Sequence, residues 1–207
     1  MKLKHPVLWI SLAFVAAVPF LRPLPAAAVD TSAFVAPDDG ALLVFVQTER
    51  IQDSSDFIVF DTKGICLATL GPRQAEVLRM KPGRYTLFVS DASSQSSFRL
   101  ELALAAGRTY FVRLYSVNKY GWTAPQLATV QRGSNAYKGL KTWLDQADVT
   151  YAHDDQCRGK PADKRSNRTQ RRINEANADW KHEGDEYRRG LILIESDGLT
   201  ATEVSWL

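Results

Sequence analysis

Apolar positions along much of the chain follow the period of β-strands. Residues 98–104 (FRLELAL) alternate between apolar and other side chains, which is typical of a strand with one solvated face. Residues 41–47 (ALLVFVQ) are apolar on both faces, which predicts a central strand. Short apolar runs between turn residues predict further strands at 57–61, 65–70, 75–80, 85–90 and 109–117. This succession predicts a mainly β protein with an antiparallel β-sandwich.

One helix is expected to close the sandwich. Ser134 is a candidate N-cap, because a serine oxygen can accept the free backbone N–H groups of a first turn. Apolar residues then recur at helical spacing, at Tyr137, Leu140, Trp143 and Leu144. We interpret this stripe as core that packs on the sheet. The sandwich and its closing helix are predicted to span residues 41–148.

The last quarter of the chain, residues 149–207, changes in composition. It is expected to begin with a basic linker, followed by a charged helix over about 168–188 that ends at Gly190. Residues 191–195 and 199–207 are apolar runs separated by a Ser-Asp-Gly turn. They predict a β-hairpin that pairs with the main sheet. The expected fold is therefore a sandwich with one packed helix and a helical C-terminal excursion ending in a hairpin.

The N-terminal segment has the pattern of a secretory signal peptide. Two lysines precede a stretch without formal charge over residues 5–21, and three alanines end at Ala28. We expect cleavage after Ala28 and a flexible segment at 29–40; an uncleaved anchor is the alternative. No later stretch is long and apolar enough to predict a membrane span. The mature protein is expected in the periplasm or secreted.

Composition and charge exclude some classes of protein. Apolar residues make up 45% of the chain, an ordinary share for a globular protein. Without the three cations of the signal peptide (Lys2, Lys4 and Arg22), the 26 Lys and Arg residues fall to 23, against 23 acids. The near-neutral total gives no support for a nucleic-acid partner.

A local basic run is the clearest charge feature. Its cations are Arg158, Lys160, Lys164, Arg165, Arg168, Arg171 and Arg172. They are candidates for binding an anionic envelope polymer or an acidic protein through charge-assisted contacts. The alternative is a solvated linker.

Cys66 and Cys157 are the two cysteines of the chain. In an oxidising compartment they are candidates for an intramolecular disulfide, which would stabilise the fold by about 4–5 kcal/mol in the chain-entropy description. Two thiols or an intermolecular bond are the alternatives, because the sequence does not give the Cα separation.

No pattern of catalytic or metal-ligating residues emerges from the sequence. The cluster Asp145, Asp148, His153, Asp154 and Asp155 matches no EF-hand loop and no paired-histidine spacing. We interpret it as a solvated loop. Nucleophile-elbow, Walker and dinucleotide-binding motifs are absent from the sequence. We therefore predict no catalytic residue, no metal and no cofactor.

Five segments in order carry a family resemblance that covers roughly residues 40–146: ALLVFVQ (41–47), a strand with a Thr-Lys-Gly turn (57–64), KPGRYTLFVS (81–90), FRLELALAAGRTYFVRLY (98–115) and QLATV (126–130). They resemble a domain of unknown function found in bacterial envelope proteins, often lipoproteins. It implies a carboxypeptidase-regulatory-like or PEGA-like β-sandwich. This chain departs from that family in lacking a lipobox cysteine and in carrying a C-terminal extension. The resemblance implies no catalytic residues, and it implies an accessory or binding module.

The expected function is that of an exported, non-enzymatic binding or accessory protein of the envelope. Its partner is then an envelope protein or an anionic envelope polymer. One alternative is a hydrolase acting on an envelope polymer, which would need His153 beside Asp148 or Asp154 and a nucleophile. The other alternative is a structural module of a larger envelope assembly.

Overall fold

The computed structural model of the protein describes residues 31–48, 56–91, 97–119, 122–152, 157 and 166–207. Within these residues the chain forms ten strands in two five-stranded sheets, together with four α-helices. The prediction of a mainly β fold is confirmed. The predicted signal peptide and most of the basic linker lie outside the described residues.

The strands form two sheets. They are β1 (Ala41–Gln47), β2 (Phe57–Phe60), β3 (Cys66–Leu70), β4 (Gln74–Met80), β5 (Gly83–Asp91), β6 (Ser97–Leu104), β7 (Arg108–Lys119), β8 (Trp122–Thr129), β9 (Asp148–Tyr151) and β10 (Ile192–Leu193). Sheet 1 has the order β8-β7-β1-β4-β9, and sheet 2 has the order β10-β6-β5-β2-β3. The helices are α1 (Asn135–Leu144), α2 (Ser166–His182), α3 (Asp185–Arg189) and α4 (Ala201–Val204).

The sheets are mainly antiparallel, as predicted, but three of the eight described strand pairs are parallel. Strand β1 runs antiparallel to β4 but parallel to β7, and β9 and β10 also pair in parallel with their neighbours. The other described pairs are antiparallel. Alternation of side chains identifies a strand, but the direction of its neighbours depends on chain connections that alternation does not encode.

The alternating side chains of β1 face two separate cores. Leu43 and Phe45 point between the two sheets, where they pack with residues such as Val89 of sheet 2. Leu42 and Val44 point to the outer face of sheet 1 and pack beneath α1 and α4 in a second cluster, the outer core. Both faces of the strand are buried, as its two-sided apolar pattern predicted.

Helix α1 forms as the sequence predicted. The Ser134 side chain accepts a hydrogen bond from the Tyr137 backbone N–H at 3.2 Å, which caps the first turn. Leu140 and Leu144 are buried in the outer core. Burial of each such side chain stabilises the fold by about 1.5–3 kcal/mol.

The opposite outer face, that of sheet 2, is covered by α2. Ile173 and Ala176 pack against Phe60 and Phe88 in a small cluster. The described part of the molecule therefore has four layers: α2, sheet 2, sheet 1, and α1 with α4. Gly184, in an extended conformation, interrupts the helix predicted over 168–188, so two helices form instead of one.

The predicted C-terminal hairpin is wrong. After Gly190, β10 pairs in parallel with β6 of sheet 2, and Leu199 then forms a single bridge with Thr109 of sheet 1. The Asp197 carboxylate accepts the Ile194 N–H and caps a 3-10 turn where the hairpin turn was expected. Helix α4 replaces the second strand, because its Thr-x-x-Glu start forms a capping box.

The described part of the predicted flexible N-terminal segment is packed into the fold. Residues 31–34 form a 3-10 helix, and Phe34 is fully buried in the outer core. Its carbonyl oxygen accepts a hydrogen bond from the Thr109 hydroxyl at 2.6 Å. Burial of Phe34 holds this segment on the fold. The turn residues around it led to the prediction of flexibility, because the sequence does not show which core would bury Phe34.

Candidate binding surfaces

The disulfide joins Cys66 of β3 to Cys157, with the two Cα atoms 5.5 Å apart. Cys66 is fully buried, and Cys157 is half-buried. Because β3 is an edge strand of sheet 2, the bond attaches that edge to the chain nine residues before α2 begins. Of the three outcomes open at the sequence level, the structure has the intramolecular bond.

The first turns of α2 pack tightly on the turn between β2 and β3. Gly64 in that turn has φ of +76°, and a Cβ there would lie 2.7 Å from the Thr169 methyl group. On the next turn of the helix, the Arg172 guanidinium donates to the Asp91 carbonyl oxygen at 3.2 Å. The disulfide and these contacts hold the N-terminal end of α2 against sheet 2.

The structure divides the predicted basic run. Four of its cations, Arg158, Lys160, Lys164 and Arg165, lie outside the described residues. Arg168 and Arg171 are exposed on α2, and Arg171 lies 3.5 Å from the Glu175 carboxylate. Arg172 is only 5% exposed. Successive helical residues point about 100° apart, so Arg172 turns toward the sheet and is not part of an anion-binding surface.

A second arginine, which the sequence analysis missed, fixes the middle of α2. Arg99 of β6 pairs with Glu101 at 2.6 Å and donates to the Asn177 side-chain oxygen at 2.8 Å. Its guanidinium also lies 5.1 Å from the centre of the Trp180 ring. The alternation of β6 had placed Arg99 and Glu101 on a solvated face. Nothing in the strand itself indicates that a helix covers them.

A related stack lies on the outer face of sheet 1. The Arg113 guanidinium lies 4.7 Å from the centre of the Tyr115 ring and 4.2 Å from that of Trp143. The same indole lies over Gly139, where a Cβ would lie 2.6 Å from the ring, so a larger residue there would require the ring to move. This stack attaches α1 to β7.

Arg132 attaches the C-terminal residues to the turn after β8. It forms a two-pronged pair with the Glu203 carboxylate and donates to the Ser196 and Gly198 carbonyl oxygens at 3.1 and 2.9 Å. The hydrogen bond from Arg132, together with that from the Thr200 N–H, lowers the pKa of Glu203 to about 2. The side chain thus remains a carboxylate over the whole physiological range.

The acidic cluster is only partly described. His153, Asp154 and Asp155 lie outside the described residues. Asp145 lies 3.5 Å from Lys141, and the Asp148 N–H donates to the Arg73 carbonyl oxygen. Among the residues that the structure describes, no group of three or more potential metal ligands comes together.

An open depression of about 640 Å³ lies beside the turn between β4 and β5. It is lined by Asp39, Gly40, Arg79, Met80, Lys81 and Pro82. Arg79 and Asp39 pair across it at 3.2 Å, and both side chains are largely exposed. Such a solvated pair contributes about 0–1 kcal/mol, so a ligand could displace it at low cost. The depression offers charge but little apolar enclosure.

Comparison with known proteins adds little to this description. No family model matches the chain, and no curated protein matches its sequence. Among solved structures, the C-terminal domain of AlgF from P. aeruginosa aligns with a TM-score of 0.31 and 20% identity. The alignment covers 44% of this chain and 98% of that domain. A similarity at this level carries no argument about function. No helix within the described ranges is long and apolar enough to cross a membrane.

Proposed function

We propose that the chain is an exported, non-enzymatic protein that binds or supports another component of the bacterial envelope. The observation that carries the proposal is the disulfide between Cys66 and Cys157. Such bonds form and persist in oxidising compartments outside the cytosol. The signal-peptide pattern over residues 1–28 supports the same compartment. The mature protein is then periplasmic or secreted.

The use of charge in the described structure supports a binding role over a catalytic one. Arg99 of β6 contacts Asn177 and Trp180 of α2, and Arg132 in the turn after β8 pairs with Glu203 of α4. These charged side chains hold helices on sheets. Arg168 and Arg171, on the part of α2 near the disulfide, are exposed, and Arg171 lies 3.5 Å from Glu175. We propose this surface as the contact for an anionic envelope component.

A charge-reversal experiment tests the contact. Arg168→Glu with Arg171→Glu should lower retention of the protein on isolated envelope material several-fold at low salt, where the Debye length is about 30 Å. The matched control is Lys181→Glu with Arg189→Glu, which changes the net charge equally at exposed positions further along the chain. Arg172 is left intact because its reversal would disturb the packing of α2.

Retention that falls for the variant at Arg168 and Arg171 and not for the control at Lys181 and Arg189 supports the proposal. Equal loss in both variants would indicate a response to net charge alone, and unchanged retention would remove this surface from the proposal. Export has its own measurement: N-terminal sequencing of protein from the envelope fraction should begin at Val29. A protein found only in the cytosol with reduced cysteines would contradict the proposed function.

A further inference from the structure

Among the residues whose side chains the structure describes, four large apolar side chains are exposed, and three of these lie on the side of sheet 1. Their exposed fractions are 81% for Trp206, 52% for Ile194, 46% for Tyr151 and 40% for Val35. Single exposed apolar residues are ordinary, so their placement decides whether they matter. Trp206 is unusual in both size and exposure, because tryptophan is normally well buried.

Val35 and Trp206 belong to neighbouring parts of the fold. Val35 follows the 3-10 helix of residues 31–34, Trp206 follows α4, and these two helices pack against each other. Tyr151 lies opposite Val77, whose side chain belongs to the outer core. Opposed residues of paired strands point to the same side of a sheet, so Tyr151 also points to the outer face of sheet 1.

Two lysines lie on the same outer layer. Lys138 and Lys141 are exposed one turn apart on α1, and the Lys141 ammonium donates to the carbonyl oxygen of Leu207, the residue after Trp206. Asp145 lies 3.5 Å from Lys141 and offsets part of this charge. The surface thus combines an exposed indole with cations, as segments that lie at a membrane interface do.

The position where the chain joins this surface points to the same partner. The apolar, uncharged stretch of residues 5–21 precedes the fold, and the described fold begins at Thr31 in the 3-10 helix beside α4. In the proposed precursor, the predicted signal peptide therefore precedes the fold on this side of the molecule. The cations of α2 lie on the opposite outer layer.

We propose that the surface formed by Val35, Tyr151, Trp206, Lys138 and Lys141, the Trp206 face, docks on a phospholipid bilayer with anionic headgroups. The indole enters the headgroup region, and the lysines contact the phosphates. In this orientation α2 faces away from the membrane and remains accessible to a second component. The inference rests on the proposed function only in requiring export to the envelope.

Co-sedimentation with lipid vesicles tests the proposal on the disulfide-bonded chain of residues 29–207. Wild-type protein should sediment with vesicles of phosphatidylcholine and phosphatidylglycerol, and less with vesicles of phosphatidylcholine alone. Trp206→Ser should weaken this binding at least about tenfold, the lower end of what burial of one large apolar side chain provides. Ile194→Ser is the matched control, because Ile194 is also exposed but follows β10 at the edge of sheet 2.

Two further variants separate this proposal from the proposed function. Lys138→Glu with Lys141→Glu should weaken binding to the anionic vesicles, whereas Arg168→Glu with Arg171→Glu should leave it unchanged. Failure of the wild type to sediment, or equal binding of Trp206→Ser and wild type, would overturn the Trp206 face. Vesicle binding lost only in the α2 variant would also overturn it and would assign the lipid to α2. Unfolding in urea should show that each variant folds.

Discussion

The two outer faces of the sandwich are covered by helices that are held in different ways. Helix α1 lies on sheet 1 through apolar side chains, with Leu140 and Leu144 fully or almost fully buried. Helix α2 lies on sheet 2 through a small apolar cluster that contains Ile173 and Ala176. Polar contacts supply much of the remaining attachment of α2, among them the hydrogen bond from Arg99 to Asn177 and the contact of Arg99 with the Trp180 ring.

The difference shows how a strongly polar helix is kept on a sheet. A thin apolar stripe removes little surface from water, so hydrophobic burial alone holds such a helix weakly. The disulfide attaches Cys157, nine residues before α2, to β3, and Arg172 of the helix and Arg99 of the sheet donate hydrogen bonds across the interface. Sheet 1 needs no covalent attachment for α1, because a short turn follows β8 and leads directly into the helix.

Breaking the disulfide should have the largest effect. The bond closes a loop with a sequence separation of 91 residues, for which chain entropy predicts about 4–5 kcal/mol of stabilisation. Reduction of the wild type should lower its free energy of unfolding by an amount of that order in urea. Amide exchange should increase in α2 well before it increases in α1. The double variant Cys66→Ala with Cys157→Ala controls for effects of the reductant itself.

Uniform loss of protection in both helices on reduction would contradict this view of the disulfide. It would mean that the bond stabilises the whole sandwich and has no particular role at α2. An unchanged free energy of unfolding would indicate that the packing of α2 alone fixes this end of the chain.

Matched truncations of the two apolar contacts should differ in kind. Leu140→Ala empties a fully buried site under α1 and should lower the free energy of unfolding by about 3 kcal/mol. Ile173→Ala removes a side chain at the edge of a smaller cluster and should cost less. With the disulfide intact, the main effect of Ile173→Ala should be faster amide exchange in α2. The exchange rates are compared with those of Leu140→Ala in the same buffer. An equal loss of free energy of unfolding in the two variants would show that both helices are held by apolar burial to the same extent.

The sequence predicted the apolar attachment of α1 better than the polar attachment of α2. Burial of a regular apolar pattern is a local property, and α1, its Ser134 cap and the strand at 41–47 were all predicted from it. Pairing direction and long-range polar contacts depend on which segments meet in space. For that reason the parallel pairing of β1 with β7, the contact of Arg99 with Asn177 and the pair of Arg132 with Glu203 were missed.

Some of the candidate site was nevertheless readable from helix geometry. Thr169, Arg172, Ile173 and Ala176 are spaced as one face of a helix, and all four are buried. That spacing could have removed Arg172 from the proposed anion-binding surface. The two cysteines were identified as a candidate pair from the sequence. Whether they bond to each other depended on where β3 places Cys66, which the sequence does not give. The prediction of a C-terminal hairpin was wrong. A 3-10 turn forms at Glu195–Asp197, and a capping box at Thr200 starts helix α4 where the second strand was expected.

The smallest expected effect on stability is that of the ion pair between Arg132 and Glu203, which holds α4 on the sheet 1 side. Arg132 holds the pKa of Glu203 at about 2 in the folded chain, against about 4.3 for an unperturbed glutamate. Because the folded pKa is the lower one, the stabilisation is fully present above about pH 4.3 and is lost as the pH falls toward 2.

Both side chains are partly exposed, so Glu203→Gln should lower the free energy of unfolding by about 1 kcal/mol at neutral pH. The difference between variant and wild type should shrink in urea titrations run at successively lower pH between 5 and 2. Thr202→Ala, at an exposed position of the same helix, provides the pH-independent control. A difference that stays constant down to pH 2 would show that Glu203 contributes through packing and capping of α4, and that its charge does not contribute.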